Sequence, residues 1–572
     1  MFFLHSKRAR RVAGCTALAL SAGMLLAGPA SADSPAPRPA VEKPVAGVKV
    51  PELVLPKADG ARSAGTAGAT AAGTAPRADL DGDGLSNLVF RGYDGQLYST
   101  AGSDAIYRGD GATTFVKDVV PLGDLDGDGG RPEMLTLSTD GDVTVYGNVT
   151  ATSSDFRWGA SGWQIYNKVF TAGDLSGDGK ADVLARTPSG ELWVYRSTGT
   201  PGAPFHARQK IGNGWQAYDQ LIGVGDSDGD GYGDFLARTY GGLLYFYGST
   251  GSPYAVKPRK QVGTGWQIYN QIVGIDDATG DGIGDVIARG TDGTLWAYTG
   301  TGGGTYAARR QGSVGWQVAG QIGGAGNVPA HGKEELIARD KAGTLYWYYS
   351  LNNGLLSSRQ QTSDIGGWAG ATLFNVNSVD DNGESDILEI GGGHLYHQSY
   401  QGLVDYGGGW GIYNQLVGPG DLNGDGTGDF VARDRSGVLW LYRTNQYGNA
   451  VHARVKVGSG WGAYDRIVGS GDYSGDGLND LVARTKDGTL YLYQGTGQAG
   501  YPFKPRVKIG GGWNVYPKIV APGDITGDGK ADLLAVNSGG ELFRYSGTGE
   551  AGTPFKSRVS IGRGYQTYNG LY

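Results

Sequence analysis

The segment GDLNGDGTGDF places four oxygen-bearing side chains at fixed offsets: Asp421, Asn423, Asp425 and Asp429. Three carboxylates this close repel one another unless a cation is shared among them. Glycine at the sixth position permits the sharp turn that brings the oxygens inward, and the seventh position can offer a backbone carbonyl. A hard cation with about six to eight oxygen ligands suits such a set. Calcium is the expected ion, in a structural role. Magnesium ranks second, because it demands tighter octahedral geometry.

The pattern D-x-[DNST]-G-D-G-x-x-D recurs along the chain. The other complete sets are Asp174, Ser176, Asp178, Asp182; Asp226, Asp228, Asp230, Asp234; Asp277, Thr279, Asp281, Asp285; Asp472, Ser474, Asp476, Asp480; and Asp524, Thr526, Asp528, Asp532. Asp79, Asp81, Asp83 and Asn87 form a nearly complete one. Three copies are degenerate. Asp124, Asp126 and Asp128 meet Pro132 at the ninth position, with Glu133 one place late. Ser378, Asp380, Asn382 and Asp386 have lost two acids, and Asn327, Pro329 and His331 have lost the site. Asp, Asn and Gly also build turns without metal, but one spacing repeated so often favours ligation. The loop is not an EF-hand, whose last ligand falls at position 12 and precedes a helix; here the last ligand opens a strand.

The loops begin at residues 79, 124, 174, 226, 277, 327, 378, 421, 472 and 524. Each unit of about 50 residues carries short Val-, Ile-, Leu- and Tyr-rich pieces, such as GWGAYDRIVGSG, LVART, GTLYLY and FKPRVKIG. These read as four β-strands per unit, the unit of a β-propeller. The expected fold is all-β, with about ten four-stranded blades. The first unit lacks a GW…Y…IV strand before Asp79, and the chain ends on one, GYQTYNGLY. HARQKIGNGWQAYD at 206 recurs as HARVKVGSGWGAYD at 452, five units later. Two five-bladed propellers are therefore favoured, at 79–324 and 325–572; the alternative is one ten-bladed ring.

The frame narrows the function. A basic segment (Lys7, Arg8, Arg10, Arg11), an apolar run from Val12 to Ala27 and the small residues Ala30-Ser31-Ala32 predict a signal peptide over 1–32. Its removal takes the net charge from −7 to −11 and removes Cys15, the only cysteine. The expected protein is secreted, extracellular and free of disulfides. Residues 33–78, rich in Pro, Ala, Gly and Thr, read as a flexible linker. No membrane span is expected after signal cleavage, and the acidic balance argues against nucleic acid.

The sequence carries no G-x-S-x-G, H-E-x-x-H or phosphate-loop motif. The expectation is no catalytic site and no organic cofactor, with a polysaccharide-acting enzyme as a remote alternative. His394 and His397 form H-x-x-H and read as strand-surface residues; Arg108-Gly109-Asp110 reads as chance. Eight tryptophans follow glycine, at 163, 215, 266, 316, 368, 410, 461 and 513. One per unit fits blade packing, and it also fits a ring of sugar-stacking platforms.

DLNGDGTGD followed by FVARDRSGVLWLY resembles the FG-GAP (integrin-α-like) repeat family, in its bacterial secreted branch, across residues 79 to 572. The resemblance implies a calcium-binding β-propeller, with the ion in the loop joining the first two strands of each blade. The eponymous Phe-Gly and Gly-Ala-Pro are not at their usual places. The Gly-Trp positions and strands such as GTLYLY also resemble the tachylectin-type lectins, whose blades each bind an amino sugar. The expected partner is a polysaccharide or cell-wall glycan, with an extracellular protein as the alternative.

Overall fold

The computed structural model describes residues 38, 41, 48–55, 76–92, 94–109, 116–126, 130–138, 141–325, 333–380, 384–399, 402–445 and 447–572. The expected signal peptide and most of the expected linker lie outside the described residues. So do Asp128, Asn327, Pro329, His331 and Asn382.

The fold is a β-propeller of ten antiparallel sheets, nine with four strands and one with three among the described residues. A typical blade runs Tyr218–Gly225, Asp234–Thr239, Leu244–Tyr247, Lys260–Gly263, in that spatial order. Blades stack face to face, so a central strand is covered on both sides. That is why DVLAR at Asp182–Arg186 is buried along its whole length instead of alternating, while Gln209–Gly212 at the outer edge is exposed or half-buried.

The GW…Y…IV piece is not one strand. Seven of the eight glycines before Trp take a left-handed conformation, φ +78° to +97°, and open a three-residue 3-10 turn such as Trp163–Ile165; Gly367 before Trp368 does not. The strand begins only after the turn. A residue with a Cβ is strained at that φ, which accounts for the glycine in those seven copies.

Two pairings bring distant segments together. Ala319–Ile322 pairs with Val89–Gly92, completing the sheet that opens the repeats. The last strand, Tyr568–Leu571, pairs with Glu335–Asp340 and not with the first sheet. Apolar clusters join each sheet to the next. Val120 packs with Val169, Phe170 with Leu221, Ile222 with Ile272, Ile275 with Ile322 and Phe90, and Val89 with Val119. In the second half Ile337 clusters with Leu373, Val376 with Leu416, Val431 with Ile467, Val482 with Ile519, and Leu534 with Leu336.

The tryptophans belong to these clusters. All eight are buried. Trp163, Trp215, Trp266, Trp410, Trp461 and Trp513 each lie 4.4–4.8 Å from a tyrosine ring of their own unit: Tyr195, Tyr247, Tyr298, Tyr442, Tyr493 and Tyr545. Those tyrosines share hydrogen bonds with the tyrosine after the 3-10 turn, as in Tyr218–Tyr247 and Tyr269–Tyr298, both 2.6 Å. Of the two roles open to the Gly-Trp set, the structure shows packing; the indole faces are already covered.

In most blades an arginine at the end of the second strand ties the blade to its successor. Arg186 donates from Nη1 to the carbonyls of Trp215 (2.9 Å) and Tyr218 (2.5 Å), and from Nε to Asn167. Arg238, Arg289, Arg339, Arg433 and Arg484 repeat the arrangement. Val536 occupies this place in the tenth blade, and Lys518 takes over, donating to the carbonyls of Tyr565 and Tyr568.

The expected linker is packed where it is described. Val48, Val50, Leu53 and Leu55 lie against the Trp316 cluster, and Val41 against the Trp368 cluster. Arg38 donates to Glu389 and to the carbonyl of Ala369. Scattered aliphatic residues without a period look like linker in sequence, yet suffice to seat a strap on an existing surface.

Arg186→Met keeps the stem but leaves two buried carbonyls without a donor. The expected cost is about 3 kcal/mol, read as a lower denaturation midpoint at unchanged m-value.

Candidate metal centres

The loops at 174, 226, 277, 421, 472 and 524 each leave the first strand of a blade and re-enter at the second. The first-position aspartate organises the turn. In the loop at 174, Asp174 accepts N–H groups from Gly177 (2.7 Å) through Oδ1 and from Gly179 (2.6 Å) through Oδ2. Asp226, Asp277, Asp421, Asp472 and Asp524 do the same. The fifth-position aspartate closes a small turn by accepting the seventh residue's N–H, as Asp281 does from Ile283 at 3.0 Å.

The ninth-position aspartate is the pivot. It accepts the second residue's N–H through Oδ2 and an N–H fifteen residues on through Oδ1. Asp285 holds Ala278 (3.0 Å) and Gly300 (2.8 Å); Asp480 holds Tyr473 (3.0 Å) and Gly495 (2.8 Å); Asp532 holds Ile525 (3.0 Å) and Gly547 (2.8 Å). Asp182, Asp234 and Asp429 occupy the same place. These carboxyls are buried. Burial, reinforced by the neighbouring loop aspartates, pushes Asp182, Asp234, Asp285 and Asp532 up to about 7. Asp429 and Asp480 are raised well above the usual carboxylate range for the same reasons. Buried mutually repelling carboxylates are what a divalent cation would relieve, so the residues fit the expected ion. They could hold it through the side-chain oxygens of positions 1, 3, 5 and 9.

Gathering of acids does not simply follow completeness of the motif: among the described residues, of the six complete loops, those at 226 and 472 bring three acid oxygens close together, and those at 174, 277, 421 and 524 do not. Asp79, Asp81 and Asp83 present oxygens within 4.8 Å of one another, as do Asp226, Asp228 and Asp230, and Asp472, Asp476 and Asp480. Asn87 stands in for the ninth aspartate, accepting the Leu80 N–H at 2.8 Å. The degenerate loop at 124 is rescued. Glu133 reaches back from one place late to accept the Leu125 N–H at 2.8 Å, and groups with Asp124 and Asp126. The extra methylene makes up for the shift. Basic side chains approach some outer carboxylates: Arg196 on Asp178, Lys257 on Asp228 and Asp230, Lys504 on Asp476.

The loops meet two environments. Those at 472 and 524 are covered by residues of the first half: Tyr240 donates to Gly475 O (2.5 Å), Asn270 to Thr526 O (3.0 Å) and Arg289 to Gly527 O (3.1 Å). Lys530 forms an ion pair with Asp219 at 3.0 Å. The loops at 174, 226 and 277 instead line an open cavity of about 640 Å³ with Asp124 and Arg77. Arg77 stands at its floor, paired with Asp276 at 2.6 Å and donating to Thr171 O (2.7 Å) and Gly223 O (3.3 Å).

His394 and His397 do not act together. His394 pairs with exposed Asp405 at 2.9 Å, whereas His397 is buried against Asp386. The strand-surface reading holds for His394 and fails for His397. Only the tertiary register, His397 opposite Leu388, reveals that placement.

The family model described as FG-GAP-like repeat matches residues 174–237 and 472–535, each spanning two of these loops. No curated protein matches the chain. Among solved structures, the BP39L lectin from Burkholderia pseudomallei is similar at 14% identity, covering 61% of this chain and 99% of its own, with a TM-score of 0.27. Sqt1 from Saccharomyces cerevisiae is similar at 12% identity, covering 78% and 95%, with a TM-score of 0.21.

Without metal, the raised carboxyls hold protons in the folded state that the unfolded chain has released, since its aspartates titrate near about 3.9. The unfolded state then binds fewer protons, so the metal-free protein should lose stability as pH rises from about 4 towards 7. Calcium should flatten that slope. A single site at about 100-fold excess over its dissociation constant adds about 2.7 kcal/mol. Thermal melts across this range, with chelator and with calcium, measure both effects; identical curves would remove the metal assignment.

Proposed function

We propose that this chain, a protein of the FG-GAP repeat family, is a secreted, calcium-stabilised, non-catalytic binding module for a carbohydrate or cell-surface polymer. The observation that carries the reading is the set of buried carboxylates gathered in loop after loop, each raised by burial and by its neighbours. Calcium supplies the missing charge and ties the first two strands of a blade together.

We read the ten blades as two five-bladed propellers. Ala319–Ile322 returns to the first sheet and Tyr568–Leu571 to the sheet of Glu335–Asp340, five sheets apart in each half. The division at 324/325 and the export of the chain after residue 32 are part of this proposal. Fragments 48–324 and 333–572 should each give a cooperative melt and native-like circular dichroism. A pair of molten fragments from a well-folded whole would favour the single ring.

The ligand face in this reading is the cavity lined by the loops at 174, 226 and 277. Its surface is oxygen-rich and glycine-rich. With the Gly-Trp indoles packed, polymer contact falls to loop backbone, carboxylates and bound metal, whose open coordination positions suit sugar hydroxyls. Weak repeated contacts gain avidity on a repeating polymer. In sedimentation assays on insoluble polysaccharides, calcium should promote retention and chelator should release the protein. Asp178→Asn combined with Asp230→Asn should lower retention several-fold. Retention unaffected by chelator would overturn the metal-face reading; a folded protein held by no polysaccharide would favour a protein partner.

A further inference from the structure

The degenerate loop at 378 has exchanged one kind of ligand for another. Ser378 stands where complete loops carry their first aspartate, while Asp380 and Asp386 keep the third and ninth positions. Across the blade, on strand His394–Ser399, His397 lies opposite Leu388. The register-equivalent residue varies between complete blades: it is aliphatic in Val194 opposite Leu184, Ala297 opposite Ile287, Leu441 opposite Val431 and Leu492 opposite Val482, but Phe246 opposite Leu236 and Arg544 opposite Leu534. An imidazole stands where four of the six complete blades carry an aliphatic side chain, in the blade whose loop lost its first acid.

The three side chains converge in a dry place. His397 is 0% exposed, and Asp380 and Asp386 are 3% exposed. One ligand atom from each lies within 4.8 Å of the other two. Nδ1 of His397 is 2.9 Å from the carbonyl of Gly448, and the Tyr406 hydroxyl, 3.0 Å from Nδ1, donates to that same carbonyl at 2.6 Å. A carbonyl only accepts, so Nδ1 carries a proton, and Nε2 meets the carboxylate either through a bound cation or through a second proton of its own. Nε2 makes no hydrogen bond, yet stands 3.1 Å from Oδ1 of Asp386. The second oxygen of Asp386 is held by the Val379 N–H at 2.7 Å, which aims Oδ1 at the imidazole.

A lone pair facing a carboxylate oxygen is unfavourable in a buried site unless something positive lies between them. Two ligand atoms about 2.0–2.1 Å from one tetrahedral ion are separated by roughly 3.3 Å, close to the spacing seen. A ring nitrogen donating to a backbone carbonyl is also the usual outer-shell support of a metal-bound histidine. Two carboxylates and a neutral imidazole balance one divalent charge. The nitrogen ligand shifts preference away from calcium, which is bound through oxygen, towards the borderline transition metals.

We propose that Asp380, Asp386 and His397 form a buried site for one divalent transition cation of the zinc type, chemically separate from the oxygen loops. It stands on its own geometry, so loss of the calcium reading leaves it intact, and the reverse also holds.

The test uses the full-length chain, stripped of metal and titrated with cobalt(II) as a visible probe. Wild type should bind one more equivalent of cobalt than His397→Leu, which restores the side chain found in a sister blade. The added absorbance should vanish with one equivalent of zinc and persist in calcium on the order of millimolar. Asp380→Asn should weaken cobalt binding about 100-fold, and it carries the comparison if the leucine variant does not fold. Equal cobalt binding by wild type and a folded variant, or displacement of cobalt by calcium, would overturn the proposal. The pair would then be an imidazolium beside a carboxylate.

Discussion

A carboxylate buried at the ninth loop position sets the terms for each blade that has one. It accepts one hydrogen bond from the start of its own loop and another from the turn after the third strand, as Asp285 does with Ala278 and Gly300. That double grip fixes where the second strand begins. It also places a charge in a dry site beside further carboxylates, and burial raises it to about 7. The blade therefore gains geometry at an electrostatic cost that a bound cation would offset. Acidic loop and blade frame form one unit.

The rest of the repeat serves stacking. A glycine in the left-handed region starts the 3-10 turn, the turn drops tryptophan between sheets, and a tyrosine of the same unit covers the indole. The turn ends with carbonyls that lack helical partners, and the arginine of the preceding blade satisfies them. Three motifs far apart in each unit meet at one joint. This joint consumes the aromatic faces that a sugar-binding ring would need.

Variation between blades is compensated by physical equivalents. Glu133 reaches where an aspartate would have stood. Lys518 replaces a missing arginine from the neighbouring strand and finds the same pair of carbonyls. His397 enters the blade whose loop lost its first acid. In each case the demand is local, a donor or an acceptor or a positive charge at one point, and chain position is secondary.

The sequence by itself determined the unit, the strand-rich class and the number of loops. Those properties depend on spacing within about ten residues, and Asp174, Gly177 and Gly179 fold together without help from elsewhere. It also marked GYQTYNGLY as a closing strand. Its partner, the strand Glu335–Asp340, came only from the tertiary pairing, because either closure uses the same residues. The tertiary structure alone decided that Trp215 is packed, that Val48 and Leu53 lie on the propeller, and that the loops at 472 and 524 are covered while those at 174, 226 and 277 border a cavity. It alone separated His394 from His397, two residues of one strand and one motif. Burial is a property of what lies opposite, and residues hundreds of positions away supply it.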